Sequence, residues 1–177
     1  ADLVIAKKDA SITGTLTNVT YNAQTQTQNA AVLSGFIEAD VTAGTVGTTG
    51  LASGRNAGTY NSSLAATGDD ASNYNITINN ADLVIAKKDA SITGTLTNAT
   101  YSGSLKTQDP ATVSGFIESD AVVVEGLATG TSAGTYASDL RVASTVAQNY
   151  RVAVVNANLI ITGGLTPINP VVNPVIN

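Results

Sequence analysis

The chain has no cysteine, histidine, methionine or tryptophan, and only six tyrosines and two phenylalanines among its 177 residues. Without cysteine there is no disulfide framework and no thiol redox chemistry. Without histidine and cysteine, neither a Ser-His-Asp nor a Cys-His nucleophile can be assembled, and the usual zinc ligands are missing. Long apolar runs are also lacking. No stretch of about 18 apolar residues occurs, so no segment reads as a membrane-spanning helix. The only basic clusters are Lys7-Lys8 and Lys87-Lys88, too little for a nucleic-acid or anionic-membrane footprint. The net charge of −5, from 13 acidic and 8 basic residues, serves solubility. The first residues show neither an initiating Met nor a charged-then-apolar signal layout, so the chain reads as a mature piece or an excised fragment.

What is present is repetition. Residues 81–98 repeat residues 1–18 letter for letter, and Ala157-Asn158-Leu159-Ile160-Ile161 echoes their opening. This divides the chain into two small units of roughly 75 to 80 residues. Residues 7–86 form the first and 87–163 the second, each closed by an Ala-Asp/Asn-Leu-Val/Ile-Ile strand. Residues 1–6 are then either the final strand of a preceding unit or a strand pairing in the first. Residues 164–177 hold three of the four prolines and read as an extended linker or tail.

Small and β-branched residues dominate, and apolar side chains alternate, so strands are expected throughout. In Ala1–Ala6 Leu3 and Ile5 face a core; Ala10 to Thr17 alternate again; Tyr74, Ile76 and Ile78 share one face. Gly35, inside Val32–Glu38, marks a bulge or a close backbone approach. Tyr101, Phe116, Tyr136 and Tyr150 of the second unit match Tyr21, Phe36, Tyr60 and Tyr74 of the first. Asp40 to Tyr60 spans 20 residues and Asp120 to Tyr136 only 16, so four residues are missing from a Gly/Thr-rich loop where length changes cost little. Apolar and turn positions persist between the units while polar positions drift, the pattern of a shared core rather than a shared active site.

Candidate chemistry is sparse. Gly68-Asp69-Asp70-Ala71-Ser72-Asn73 offers oxygen ligands of the kind calcium takes, or an Asx-type turn; its counterpart Ala143–Gln148 has no acid. Glu38-x-Asp40 and Glu118-x-Asp120 recur and read as solvated strand-end charges. Lys7, Lys8, Lys87 and Lys88 are the lysines an isopeptide crosslink would need, but they stand at a unit junction where exposure is expected. Asn18, Asn61, Asn75 and Asn98 head Asn-x-Ser/Thr sequons. Acids lie scattered over turns, and no Gly-rich phosphate loop opens a helix. No catalytic, cofactor-binding or metal-binding residue is therefore assigned.

The order Tyr-x-Gly (Tyr101-Ser102-Gly103), then Gly-Thr-Tyr, then Asn-Tyr-x-[Ile/Val]-x-[Ile/Val] leading into a Leu-x-Ile strand resembles the MBG and YDG families of mostly bacterial Ig-like repeats. The resemblance covers residues 8–162; the first unit departs from it at Tyr21-Asn22-Ala23, where alanine replaces the glycine. It implies two tandem Ig-like β-sandwich repeats, in an end-to-end array, within a large haemagglutinin-like adhesin exported to the bacterial cell surface. The function it implies is a structural stalk, without catalysis or cofactor, that projects a distal adhesive region for attachment or biofilm formation. Partners would be neighbouring repeats of the same chain, the molecule a monomer, with no nucleic acid and no membrane insertion. The alternatives are that the repeats themselves bind a glycan, a host receptor or like repeats, or that they are an accessory module of a secreted enzyme.

Overall fold

A computed structural model describes residues 1–164; the proline-rich tail expected over 164–177 lies, beyond Gly164, outside the described residues. The protein is mostly β, as the composition dictates. The first repeat contains β1 (Lys8–Thr13), β2 (Thr17–Thr20), β3 (Gln26–Thr27), β4 (Val32–Ser34), β5 (Gly47–Thr49), β6 (Ser53–Gly54), β7 (Gly58–Asn61), β8 (Ala65–Thr67), β9 (Tyr74–Asn79) and β10 (Asp82–Ala86). Two three-stranded sheets, ordered β4-β1-β9 and β2-β10-β7, are joined by the ribbons β3-β6 and β5-β8. The second repeat follows with β11 (Lys88–Thr93), β12 (Thr97–Thr100), β13 (Lys106–Thr107), β14 (Thr112–Ser114), β15 (Val124–Glu125), β16 (Thr129–Gly130), β17 (Gly134–Ala137), β18 (Arg141–Val142), β19 (Tyr150–Val155) and β20 (Asn158–Thr162). Its sheets, β14-β11-β19 and β12-β20-β17, with ribbons β13-β16 and β15-β18, reproduce the first strand for strand.

The strand directions decide how the chain passes through a repeat. β1 runs parallel to β9, with Lys8 opposite Tyr74 and Thr13 opposite Asn79. β2 continues parallel to β10, with Thr17 opposite Leu83 and Thr20 opposite Ala86. Between them the Gly14 N–H donates to the Asn79 carbonyl at 2.8 Å, and beyond them the Tyr21 N–H donates to the Ala86 carbonyl at 2.9 Å. Residues 8–21 and 74–86 therefore run side by side through both sheets. The repeat is entered at Lys8, level with Tyr74, and left at Ala86, level with Thr20. Entry and exit lie at opposite ends of the paired segment. β4 and β7 flank this pair on antiparallel edges.

Changing sheets between β1 and β2 shifts the inward face by one residue. The uninterrupted alternation expected from Ala10 to Thr17 would turn Leu16 inward. Instead Ala10 and Ile12 are buried, Leu16 is 60% exposed, and Thr17 is buried in its place. A one-residue slip exchanges the two faces of a strand, and the crossover supplies it. Thr17 is satisfied there: its Oγ1 donates to the Thr15 carbonyl at 3.0 Å and accepts from the Asn29 N–H at 2.9 Å. The same exchange recurs at Leu96 and Thr97.

The closing strand is the best-buried element. Leu83 and Ile85 are 0% and 2% exposed, like Leu159 and Ile161 in β20. Residues 1–6 spell the same hexapeptide but form no strand, and Leu3 and Ile5 are 88% and 85% exposed. Of the two readings for residues 1–6, pairing in the first repeat does not occur. Leu3 and Ile5 are not core residues here, because β10 already occupies the place between β2 and β7.

By contacts the chain forms two compact units whose borders do not follow the repeats. One comprises residues 1–90 with Gly115–Val122 and Ser144–Arg151; the other comprises Ser91–Ser114, Val123–Ala143 and the chain from Val152. The core of the first includes Ala10, Val46 and Tyr74 with Phe36 and Ile76 against them, and that of the second Ala128, Leu159 and Ile161 with Ala99 and Tyr136.

Two local expectations change. Val32 to Glu38 is not one strand: β4 stops at Ser34, Gly35 turns with φ +80°, and Glu38–Thr42 forms a short helix, α1. A Cβ on Gly35 would lie 2.6 Å from the Asp9 carbonyl oxygen, so the close approach expected at this glycine is what the backbone makes. The four residues absent from the second repeat fall between α1 and β5, a stretch holding the buried Val46, so in this repeat the loop contributes to the core.

Candidate functional site

Two copies of one side-chain cluster lie in the first compact unit. In the first copy the Tyr74 hydroxyl donates to Asp40 Oδ2 at 2.5 Å and accepts from the Ile37 N–H at 3.1 Å. Phe36 packs against the Tyr74 ring at 4.9 Å between centroids. In the second, the Tyr150 hydroxyl donates to Asp120 Oδ2 at 2.5 Å and accepts from the Ile117 N–H at 3.0 Å, with Phe116 at 4.9 Å. Asp40 and Asp120 are thus not the solvated strand-end charges expected of them. Each sits in a turn of helix, Asp40 in α1 and Asp120 in the 3-10 turn Glu118–Asp120, and is tied to the tyrosine that opens β9 or β19. Glu38 and Glu118 are exposed, as solvated charges are.

The copies differ in what covers them. At Asp120 the Tyr21 hydroxyl adds hydrogen bonds of 3.1 and 3.0 Å to the two carboxylate oxygens, and its ring meets Tyr150 edge-on at 5.5 Å. Asn149 Oδ1 accepts from the Ala57 N–H at 2.8 Å, and its Nδ2 donates to Asn56 Oδ1 at 3.1 Å. Tyr21, Ala23 and Asn149 are in consequence 3%, 2% and 1% exposed. Their sequence counterparts Tyr101, Gly103 and Asn73 are all exposed. Ala23 also holds φ +63°, where Gly103 has +75°. The alanine thus keeps the glycine's turn, at the cost of a left-handed conformation that L residues avoid by about 1 kcal/mol, while its methyl group is enclosed.

The electrostatics make these phenols donors rather than nucleophiles or bases. Burial, then the hydrogen bond to Asp120, pushes Tyr150 up to about 12. Tyr21 is raised by the same two causes in the same order, and Tyr74 chiefly by its bond to Asp40. A phenol raised in the folded state leaves the unfolded chain to ionise first. The stability it contributes is therefore complete below pH 10 and lost as pH rises from about 10 to about 12. Two pKa units on Tyr150 correspond to about 2 to 3 kcal/mol. Urea unfolding should accordingly weaken over that interval, and Tyr150→Phe should flatten the loss; an unchanged slope would mean that the phenol is not enclosed.

The other sequence candidates do not come together. Asp70 accepts from Asn73 Nδ2 at 3.2 Å, and its own N–H donates to the Thr45 carbonyl at 3.0 Å, which makes Gly68–Asn73 a tied turn. Among the described residues no three acidic side chains are grouped as metal ligands. Lys7 and Lys87 are exposed, Lys88 is half-buried, and Lys8 Nζ donates to the Gly35 carbonyl. Asn18, Asn61, Asn75 and Asn98 are exposed on strands. Arg151 clamps Asp89 through two nitrogens, at 2.5 and 2.9 Å, and holds that carboxyl below its ordinary value. A cavity of about 450 Å³ is lined by Ala86, Lys87, Tyr150 and Arg151.

Sequence reasoning missed one pair altogether. Gln28 and Gln108, which sequence reasoning did not single out, are 3% and 2% exposed and hydrogen-bond the backbone from within the core. The only local signal was a glutamine at the same distance from each repeated segment.

Comparisons of this chain with protein-family models, curated proteins and solved structures found no match.

Proposed function

We propose that this chain is a spacer: two tandem Ig-like β-sandwich repeats in the stalk of a large bacterial surface adhesin of the MBG/YDG kind. It acts outside the cell as a monomer, without catalysis or cofactor, its partners being neighbouring repeats. Its work is to hold a distal adhesive region away from the surface for attachment or biofilm formation. The observation that carries this reading is the parallel pairing of residues 8–21 with 74–86. Because the chain leaves a repeat at the end opposite its entry, each added repeat extends the path instead of folding it back. That no buried side-chain polar atom is left without a partner, among the described residues, suits a part that bears load. Tyr21, Tyr74 and Tyr150, whose pKa values are raised, keep their protons for hydrogen bonding.

Small-angle scattering tests the spacer reading. One compact globule of this length has a radius of gyration of about 16 Å, whereas two 80-residue bodies placed end to end give about 20 Å. A value of about 20 Å or more is expected; one near 16 Å would sink the proposal.

A further inference from the structure

The geometry points to the Asp40–Tyr74 cluster as a socket for the tyrosine turn of another, like repeat, the repeat whose closing strand is residues 1–6. This deepens the spacer reading by naming what the free end of the first repeat receives. Three observations converge on it. The equivalent cluster, Asp120 with Tyr150, is filled: Tyr21 bonds both carboxylate oxygens and lies edge-on against the Tyr150 ring. The Asp40 cluster has the same internal geometry, down to the 2.5 Å hydrogen bond and the 4.9 Å ring separation, but among the described residues no third side chain completes it. Asn73, counterpart of the enclosed Asn149, stands exposed beside it.

Residues 1–6 supply the tether. They are identical to residues 81–86, which in place are the buried strand β10 and hand the chain directly to Lys87 and β11. Free of that setting, Leu3, Val4 and Ile5 are 88%, 83% and 85% exposed, an apolar run that only a sheet resembling β2 and β7 would cover. A repeat closed by residues 1–6 would have its Tyr21-type N–H bonded to the carbonyl of Ala6, as Tyr21 is to that of Ala86. Its tyrosine would then stand as near Asp40 as Tyr21 stands to Asp120. The pocket of about 310 Å³ lined by Ile5, Ala6, Lys7, Ser72 and Asn73 lies at this place. With the link a single lysine, Lys7, as Lys87 links β10 to β11, the local concentration of the turn would be at or above the millimolar level of short tethers, so a modest intrinsic affinity suffices.

Two experiments decide it. In the first, a copy of residues 7–80 is fused ahead of Ala1, which recreates at residues 1–8 the sequence found at 81–88. Hydrogen exchange at the Leu3 and Ile5 amides should slow at least a hundredfold, and exchange around Asn73 and Tyr74 should slow with it. Converting the added copy's counterpart of Tyr21 to phenylalanine should release Asn73 and Tyr74 while leaving Leu3 and Ile5 protected. Protection of residues 1–6 with no change at Asn73 and Tyr74, or no protection anywhere, would overturn the socket; scattering from the parent chain would still judge the spacer reading separately. The second experiment needs no fusion and stands if the fusion fails to fold. A double-mutant cycle of Tyr21→Phe and Asp120→Asn in the parent chain should show coupling of about tenfold in the folded-to-unfolded ratio. Additive effects would remove the template on which the assignment rests.

Discussion

Leu83→Ala should destabilise the first repeat by about 3 to 5 kcal/mol, whereas Leu3→Ala should cost less than about 0.5 kcal/mol. The two leucines sit in the same hexapeptide, so helix or strand propensity, local charge and unfolded-state effects nearly cancel between them. What differs is the surroundings: Leu83 is fully buried and Leu3 is 88% exposed. Leu83 stands opposite Tyr60 of β7 and Thr17 of β2, and truncating it opens a cavity between both neighbours. For a domain of 60 to 100 residues each kcal/mol lowers the melting midpoint by about 4 to 8 °C. The Leu83 variant should therefore melt more than about 12 °C earlier, and the Leu3 variant within about 4 °C of the parent, by circular dichroism. Equal losses would mean that residues 1–6 are packed as residues 81–86 are. Ile85→Ala and Ile5→Ala form a second matched pair with the same expected contrast.

That comparison also shows what a sequence of this kind can and cannot disclose. Alternation marked Leu3 and Ile5 as inward, because a strand's inward face is written every second residue; the structure buries their copies Leu83 and Ile85 and leaves Leu3 and Ile5 exposed. The internal echo at Ala157 pointed to a strand there, and Asn158–Thr162 is one, β20. The parallel course of residues 8–21 beside 74–86 was not legible, since pairing partners some 65 residues apart leave no local mark. The crossover at Gly14 was equally hidden, and it alone decides that Thr17 rather than Leu16 points inward. The helix α1 is five residues long, too short for a helical period to be seen. Asp40 and Asp120 looked like ordinary strand-end acids because the tyrosines they hold come 34 and 30 residues later. Tyr21 and Tyr101 make the point most sharply. Both follow a Thr-Asn-x-Thr strand with the same backbone bond to the closing strand, yet one is 3% exposed and the other 49%. Their turns differ only in Asn22-Ala23 against Ser102-Gly103, and what encloses Tyr21 is Asp120 and Tyr150 opposite it.

Gln28→Ala should cost the first repeat about 3 kcal/mol or more, as much as a large apolar truncation. The side chain is 3% exposed and fully used. Its Nε2 donates to the carbonyls of Thr15 and Ala81, each at 3.0 Å, and its Oε1 accepts from the Ala52 N–H at 3.1 Å. One amide thus ties the crossover after β1, the turn before β10 and the approach to β6. Removing it strands the Ala52 N–H, and a buried polar group so stranded costs about 1 to 3 kcal/mol; it also takes one bond each from the Thr15 and Ala81 carbonyls, which keep those from Thr17 Oγ1 and the Ser62 N–H. Gln28→Glu separates this account from simple volume loss. A carboxylate matches the shape but turns acceptors toward the Thr15 and Ala81 carbonyls, and burial with that repulsion raises its pKa in the folded state above the ordinary carboxyl value. The folded protein then binds the proton more tightly than the unfolded chain, so the variant should regain stability as pH falls toward 4 and lose it as pH rises. Urea midpoints of the two variants between pH 4 and pH 8 would read this directly, with Gln28→Ala nearly flat relative to the parent and Gln28→Glu sloping. Gln108→Ala should cost less, because Gln108 holds the Thr95 carbonyl and the Ala128 N–H but, among the described residues, makes no third bond of this kind.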